Sequence, residues 1–377
     1  MTSITERTWL DELQLLITNR LDHAALRGRR LCAILGDVPS TYAKSPSLWN
    51  AAFRALQLEA TYVPLDVPQD RLRAVVQTLR ASEAFLGGSV TVPYKAAIIP
   101  LLDEIDPLTA RIGAVNVIVR TEDGKLIGYN TDGLGGVRAL TREILPGQRP
   151  PVRDLSRARV LLIGAGGAAQ ALAFHLWDQM PHGELVIANR TRASAEALVQ
   201  RLTALRAGHL VALDEQEIGA RAPSMELIIN ATVKGQAGIR KLASGEWLCL
   251  EPYSCLGPAH PTTLEPPASA EAFQGVWYRA SASDIQENHQ RSLEICARLP
   301  REAVCYDIIY APLETTFLRH ARWSGHATLN GKTMNVAQAL EAFTRYVCRH
   351  WLEREHGDLA EAAREVGRAM GDAWARP

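Results

Sequence analysis

Apolar residues along the chain fall into short runs separated by segments of helical spacing, the alternation expected of an α/β protein. Leu31-Cys32-Ala33-Ile34-Leu35, ending at Gly36, reads as a buried strand. Ser45-Pro46 then supplies an N-cap and a first-turn proline for a helix from Pro46 to about Leu56. A strand at Thr61–Val67 follows, then a helix at Pro68–Ala81 with Leu72, Val75, Val76 and Leu79 at helical spacing, and a short strand at Ser89–Val92. This β-α-β-α-β order implies parallel strands. Ala114–Arg120 and Leu126–Tyr129 flank Asp123-Gly124, a hairpin turn that closes the first lobe. Ahead of it, residues 1–30 read as one amphipathic helix, an N-terminal extension with Trp9, Leu13, Leu16 and Ile17 on a face.

Gly133 to Leu145 reads as a connecting helix, and Pro146, Pro150 and Pro151 mark a break. A second lobe then opens with a strand at Arg159–Ile163, a glycine-rich turn, a helix from about Ala168 to Gln179 and a strand at Glu184–Ala188. A helix at Arg192–Leu205 and a strand at Glu226–Asn230 extend the pattern of a doubly wound sheet. Between Gly235 and Asp307, a stretch holding Pro252, Pro258, Pro261, Pro266 and Pro267, only a helix near 283–298 is readable. From Met334 onward the tail reads as two helices.

Composition narrows the function classes. Lys plus Arg and Asp plus Glu both number 41 in 377 residues, so no cationic excess is available to displace counterions from nucleic acid. No apolar run is long enough to span a membrane, and Glu6, Asp11, Glu12 and Asp22 stand where a signal peptide would be apolar, which makes the cytoplasm the expected compartment. The cysteines at 32, 249, 255, 296, 305 and 348 form no C-x-x-C pair and read as buried thiols. The ten histidines contain no H-E-x-x-H, so no metal is expected. The tail around Leu352–Met370 alternates acidic and basic residues, a solvated face or a subunit contact, which leaves a homodimer open.

The sharpest chemical signal is Gly164-Ala165-Gly166-Gly167-Ala168-Ala169, met directly by the apolar run Val160–Ile163. In such a G-x-G-x-x-A turn Gly164 permits the tight bend, Gly166 lets a pyrophosphate approach the backbone, and Ala169 keeps the helix close to the strand. The second strand runs into Asn189-Arg190-Thr191-Arg192, with no carboxylate to hold a ribose 2′-hydroxyl. Two arginines beside neutral hydrogen-bonding residues suit a 2′-phosphate, so NADP(H) is expected rather than NAD. In the first lobe, Gly88-Ser89-Val90-Thr91-Val92-Pro93-Tyr94-Lys95 and Gly128-Tyr129-Asn130-Thr131-Asp132-Gly133 each put an ionisable group just past a strand, where open α/β sheets bind ligands. Pattern alone leaves Lys95 open to reading as a surface lysine and Asp132 as a helix cap.

These segments, with Gly113-Ala114-Val115-Asn116, Asn230-Ala231-Thr232, Asp307-Ile308-Ile309-Tyr310-Ala311-Pro312 and Gly331 followed by Met334 and Gln338, occur in one order that closely resembles the shikimate dehydrogenase family. The resemblance covers roughly 31–235 and 305–346. It implies a two-lobed α/β enzyme that interconverts 3-dehydroshikimate and shikimate with NADP(H): a substrate-binding domain with a parallel-type sheet at 31–134, completed by helices from about 333 to 377, and a Rossmann-type NADP-binding domain at 135–332 interrupted by an insertion at about 236–304. By the same resemblance Lys95 and Asp132 are the catalytic pair. Ser45, Thr91, Asn116, Tyr310 and Gln338 contact a small cyclic hydroxy acid, and Gly164, Ala165, Gly166, Gly167, Ala168, Asn189, Arg190, Thr191, Arg192 and Thr232 hold the cofactor.

Reduction of a ketone needs a hydride on carbon and a proton on oxygen. An ammonium beside that oxygen can stabilise the developing charge and deliver the proton, and a carboxylate can fix its geometry. The chain also departs from the family. Where two serines usually meet the substrate carboxylate it reads Tyr42-Ala43-Lys44-Ser45-Pro46, and Trp49 and Val117 stand where histidine and threonine are usual. One hydroxyl is missing, an interaction worth about 1.5–3 kcal/mol to a charged group, with Tyr42 and Lys44 as candidates to replace it. Quinate, an aminoshikimate or another cyclic hydroxy acid is therefore an alternative substrate, and a non-catalytic ligand-sensing or partner-binding protein on the same fold is a further alternative.

Overall fold

The computed structural model describes residues 8–145, 147–242, 244–265 and 269–375. The break expected at Pro146, the prolines at 266 and 267, Glu6 and the first seven residues of the expected N-terminal helix lie outside them. The chain divides into two compact units: Met1–Gly135 with Ile144–Gln148 and Val336–Pro377, and Gly136–Glu143 with Arg149–Asn335.

The first unit holds six strands, β1 (Arg30–Gly36), β2 (Ala60–Asp66), β3 (Phe85–Val90), β4 (Glu104–Ile105), β5 (Val117–Arg120) and β6 (Leu126–Tyr129), in the order β2-β1-β3-β5-β6-β4. β1 runs parallel to both β2 and β3, whereas β5 is antiparallel to β3 and to β6. The parallel pairing expected for the first three strands holds, the Asp123-Gly124 turn joins β5 and β6 as an antiparallel hairpin with no room for a crossover, and β4 runs parallel to β6. β3 begins four residues earlier than the expected strand at Ser89–Val92. Its Gly87-Gly88 pair reads locally as a turn, yet a Cβ at Gly88 would lie 1.8 Å from the Ala33 carbonyl, so close strand approach requires glycine there.

Two apolar clusters cover the faces of this sheet. On one, Trp49 and Phe53 of the Ser45–Ala55 helix pack with Tyr62, Phe343 and, from the last helix, Val366 and Met370. On the other, Leu13, Ile17, Leu21 and Leu26 pack with Leu31, Val75 and Phe85. The segment preceding β1 is therefore core, and it is two helices, Trp9–Leu16 and His23–Leu26, instead of one. The break arises because Asn19 leaves helical geometry to bond the β2 backbone, donating to Pro64 O and accepting from Asp66 N, and Asp22 caps the second helix. The tail likewise holds more than the two expected helices: Gly331–Glu341, a wide turn at Ala342–Val347, Arg349–Glu355 and Leu359–Ala375.

The second unit contains β7 (Arg159–Ile163), β8 (Glu184–Asn189), β9 (His209–Asp214), β10 (Leu227–Asn230), β11 (Ile239–Lys241), β12 (Trp247–Cys249), β13 (Val304–Asp307) and β14 (Ala327–Leu329). Its main sheet is ordered β14-β13-β10-β7-β8-β9 and is parallel throughout. β9 escapes the sequence pattern because its residues are only half buried, as befits an edge strand. The stretch unreadable in sequence forms an antiparallel β11–β12 pair and a helix, Ala270–Cys296, far longer than the expected 283–298. Trp247, Tyr253, Phe273 and Trp277 give this insertion its own small core.

Candidate active site

The first unit gathers a polar cluster at the carboxyl ends of its strands. Past β3 the chain turns into a short helix, Tyr94–Ala97, fixed on both sides: Tyr94 Oη donates to Val67 O at 2.5 Å, and Lys95 O accepts from Val115 N at 2.7 Å. With its backbone held, Lys95 extends its ammonium to Asp132, donating to Oδ2 at 2.6 Å. The lysine side chain keeps 25% of its surface exposed and the aspartate 10%, so the pair is open to a ligand on the lysine side.

Asp132 begins the Asp132–Thr141 helix, and its amide donates to Asn130 Oδ1 at 3.0 Å while Asn130 Nδ2 donates to Ala114 O. Asn116 makes the central crossing. Its Nδ2 donates to Asp132 Oδ1 at 2.8 Å and to Thr131 Oγ1 at 3.1 Å, and its Oδ1 accepts from Thr131 N. Gln338, from the Gly331–Glu341 helix, meets the same group: its Oε1 accepts from Thr131 Oγ1 at 3.3 Å and from Asn116 Nδ2 at 3.4 Å. That approach depends on Gly135, where a Cβ would stand 2.8 Å from the backbone nitrogen of Gln338. Four of the residues named from sequence thus fall in one hydrogen-bonded cluster, Lys95, Asp132, Asn116 and Gln338; Thr91 is half-buried just past the end of β3, its amide donating to Leu35 O. Ser45 is buried at the first position of its helix. Lys44 and Tyr42 are exposed, and Tyr42 Oη donates to Asp37, not to Ser45.

In the second unit, β7 enters the glycine turn as expected. Gly164 has φ +117°, and a Cβ there would sit 2.9 Å from Ala231 O, so the turn demands glycine twice over. Gly166 caps the Gly167–Gln179 helix, both glycines are exposed, and a Cβ at Gly166 would meet no atom within 4 Å. Open space in front of unpaired helix amides, with Ala165 and Ala169 buried behind, fits a dinucleotide pyrophosphate. Beyond β8, Asn189 Nδ2 donates to Thr191 O. The two arginines differ: Arg190 is exposed and unpaired among the described residues, whereas Arg192 is ion-paired to Glu196 at 3.0 Å and Glu217 at 2.9 Å. Arg192, expected with Arg190 to suit a 2′-phosphate, thus has acidic partners one helical turn on and at Glu217. Thr232 is also committed locally, its amide and hydroxyl both donating to Asn230 Oδ1. Tyr310 lies in the loop after β13, half-buried, and burial pushes its hydroxyl above the usual phenol range.

Two polar pairs of this unit carried no role in the sequence. Asn230 Nδ2 donates to both oxygens of Asp307 at 3.1 Å, joining the ends of β10 and β13, and Thr315 Oγ1 donates to the same carboxyl at 2.7 Å. Burial lifts the Asp307 carboxyl to about 7. The signal available was an aspartate ending an otherwise apolar strand. Lys234 Nζ meets Glu215 at 2.6 Å and donates to Gly257 O at 2.8 Å, tying the insertion to the sheet. Among the described residues no group of three His, Cys, Asp or Glu side chains converges as a metal site, and no helix is long and apolar enough to cross a membrane.

Known proteins share both halves of this arrangement. Residues 35–118 match the shikimate dehydrogenase substrate binding domain, and residues 148–245 match the shikimate / quinate 5-dehydrogenase domain. The NADP(+) shikimate dehydrogenase of Lysinibacillus sphaericus is 35% identical over 320 residues, 85% of this chain and 91% of that protein. This chain belongs to the shikimate dehydrogenase family. Its relative from Moorella thermoacetica, also a shikimate dehydrogenase (NADP(+)), is 35% identical over 341 residues, 90% of this chain and 94% of that one. A crystal structure of shikimate 5-dehydrogenase from Thermus thermophilus in complex with NADP(H) and shikimate is 26% identical and superposes with a TM-score of 0.58, covering 90% of this chain and 99% of that one. Family membership also agrees with the sheet order of the second unit, which is that of a doubly wound dinucleotide-binding domain. In the first family match lie Ser45, Thr91, Lys95 and Asn116; in the second lie the glycine turn, Arg190 and Thr232.

Proposed function

We propose that this protein is an NADP-dependent oxidoreductase interconverting 3-dehydroshikimate and shikimate, with Lys95 and Asp132 managing the proton at the reacting oxygen. The observation that carries the reading is the 2.6 Å contact between Lys95 Nζ and Asp132, cross-braced by Asn116. A nicotinamide cofactor held at the Gly164–Ala169 turn would supply the hydride for the carbonyl carbon in the reducing direction. The Lys95 ammonium hydrogen-bonds the carbonyl oxygen, stabilises the charge that develops there and passes a proton to it. Asp132 holds the ammonium in place through Oδ2 and accepts a hydrogen bond from the substrate hydroxyl, which fixes the approach angle. Oxidation of the alcohol runs through the same groups in reverse, with Lys95 entering as the neutral amine.

Gly166, Gly167 and Ala168 would hold the pyrophosphate, and Arg190 with Asn189 and Thr191 the 2′-phosphate; the missing carboxylate at the end of β8 favours NADP over NAD. Ser45, Thr91, Gln338 and Tyr310 complete the substrate contacts, and the six buried free thiols suit the reducing cytoplasm. A second reading, oxidation of quinate or another cyclic hydroxy acid, is favoured by Ala43. Steady-state assays of nicotinamide absorbance with shikimate or quinate, each with NADP+ or NAD+, test both. Turnover of shikimate with NADP+ at the highest kcat/KM supports the first reading, a preference for quinate the second, and no turnover with any pair overturns both.

A further inference from the structure

The loop that leaves β10 lies against the glycine turn. Ala231 N donates to Ile163 O at 2.8 Å, and a Cβ at Gly164 would stand 2.9 Å from Ala231 O and 3.2 Å from Thr232 Cγ2. A few residues on, the insertion takes hold of the same loop. Gly235 N donates to Leu250 O at 2.8 Å, and Lys234 Nζ, paired with buried Glu215, donates to Gly257 O at 2.8 Å. Thr316 Oγ1, at the end of the loop after β13, donates to Pro252 O at 3.1 Å. Segment 250–258 thus meets both loops, and it is neither helix nor strand, so its buried backbone groups need side-chain partners.

Asn288 supplies them. It is 3% exposed on the Ala270–Cys296 helix; its Oδ1 accepts from Ser254 N at 2.8 Å, and its Nδ2 faces Ser254 O, Gly257 O and Pro258 O at 3.1, 3.1 and 3.0 Å. The carboxamide shares its two N–H donors among the three carbonyls. One residue on, His289 Nε2 donates to Pro252 O at 2.6 Å. Gly257 O therefore accepts from Lys234 of the cofactor-side loop and from Asn288 of the long helix, which joins the two through a single carbonyl.

We propose that the insertion is a brace for the loop at 231–237 and that Asn288 is its positioning residue. By fixing segment 250–258, Asn288 holds Leu250 O and Gly257 O where they pin that loop beside the turn that receives the pyrophosphate. A loop already held in place loses less freedom when the dinucleotide binds, and affinity rises accordingly. This rests on the reading of Gly164–Ala169 and Thr232 as the cofactor site.

The test compares wild type with Asn288→Ala, His289→Ala and Phe273→Leu, by calorimetric titration of NADP+ and by amide hydrogen exchange over residues 231–237 in the ligand-free protein. Asn288→Ala should weaken NADP+ roughly two- to thirtyfold and speed exchange of the loop. His289→Ala, at a half-buried position and losing only the bond to Pro252 O, should move both the same way by less. Phe273, on the same helix, packs on Trp247 and Trp277 away from Asn288, so Phe273→Leu should lower Tm and leave both readings unchanged. An unchanged dissociation constant or unchanged exchange in Asn288→Ala overturns the proposal, as does an equal change in Phe273→Leu. Should Asn288→Ala not fold, His289→Ala decides by the same two measurements. Should wild type bind no NADP+, the cofactor reading fails by itself, and the exchange still decides the brace: equal protection of 231–237 in wild type and variants rejects it.

Discussion

Asn116 Nδ2 lies 2.8 Å from Asp132 Oδ1, on the carboxylate oxygen opposite the one that Lys95 Nζ meets at 2.6 Å. Both oxygens of Asp132 are thereby engaged from opposite sides, so the carboxylate cannot rotate away from the lysine without breaking a second hydrogen bond. Orientation of the ammonium is thus a property of the Asn116–Asp132 contact as much as of Lys95.

Replacing the lysine removes the proton donor while sparing the glycine turn. Lys95→Ala should lower kcat by about 10²–10⁴ with the dissociation constant for NADP+ unchanged. Stopped-flow turnover and calorimetric titration of NADP+ check this, and an active Lys95→Ala enzyme defeats the assignment.

Asn116→Ala leaves one Asp132 oxygen and Thr131 N without their partner. A drop in kcat/KM of roughly tenfold to a hundredfold is expected, from the loss of a hydrogen bond to a charged group. The fall should appear in both kcat and KM, since orientation of the ammonium and of substrate both suffer.

Arg190 and Arg192 can be told apart. Arg190→Ala should weaken NADP+ by about tenfold to a hundredfold and leave NAD+ binding almost as it was, whereas Arg192→Ala, whose guanidinium already faces Glu196 and Glu217, should change the NADP+ to NAD+ ratio far less. Equal effects of the two substitutions contradict the assignment.

A methyl group at Gly135 would press on Gln338. Gly135→Ala should therefore destabilise the protein by about 1–3 kcal/mol and raise KM for substrate, read from thermal melts and steady-state kinetics. Unchanged values of both would mean that the two helices can separate without cost.

His320, buried and bonded through Nδ1 to Ser292 Oγ, has its pKa lowered to about 4, first by burial and then by His289 and Arg319. The folded state holds it neutral where an unfolded chain, titrating near the ordinary 6.5, takes up a proton. Its stabilisation is present above about pH 6.5 and is lost as pH falls toward 4. Asp307 acts with the opposite sign, its raised carboxyl adding stability at low pH that declines as pH rises toward about 7. Denaturant titrations from pH 4 to 7 should show a steeper fall of stability with rising pH in His320→Asn than in wild type, because the opposing histidine contribution is gone.

Much of the fold was legible because its signals are local. The turn Gly164–Ala169, the helix face Leu72–Leu79 and the hairpin at Asp123-Gly124 each follow from backbone geometry or residue spacing within a few positions. β9 and the insertion were not legible. A half-exposed edge strand lacks alternation, and Trp247, Phe273 and Trp277 acquire their apolar surroundings only from one another. Of the site, Lys95, Asp132, Asn116 and Gln338 were named from ordered motifs, yet their spacing along the chain says nothing of contact.

By itself, then, the sequence determined the glycine turn, the missing carboxylate after β8, the motif order that marks the family and most buried strands, since each depends on nearest neighbours in the chain. Tertiary structure alone decided that Asn116 bridges Asp132 and Gln338, and that Arg192 is occupied while Arg190 is not. Those outcomes depend on which side chains the sheet order brings within hydrogen-bond reach, and pairing across distant segments is set by packing, not by any period in the chain.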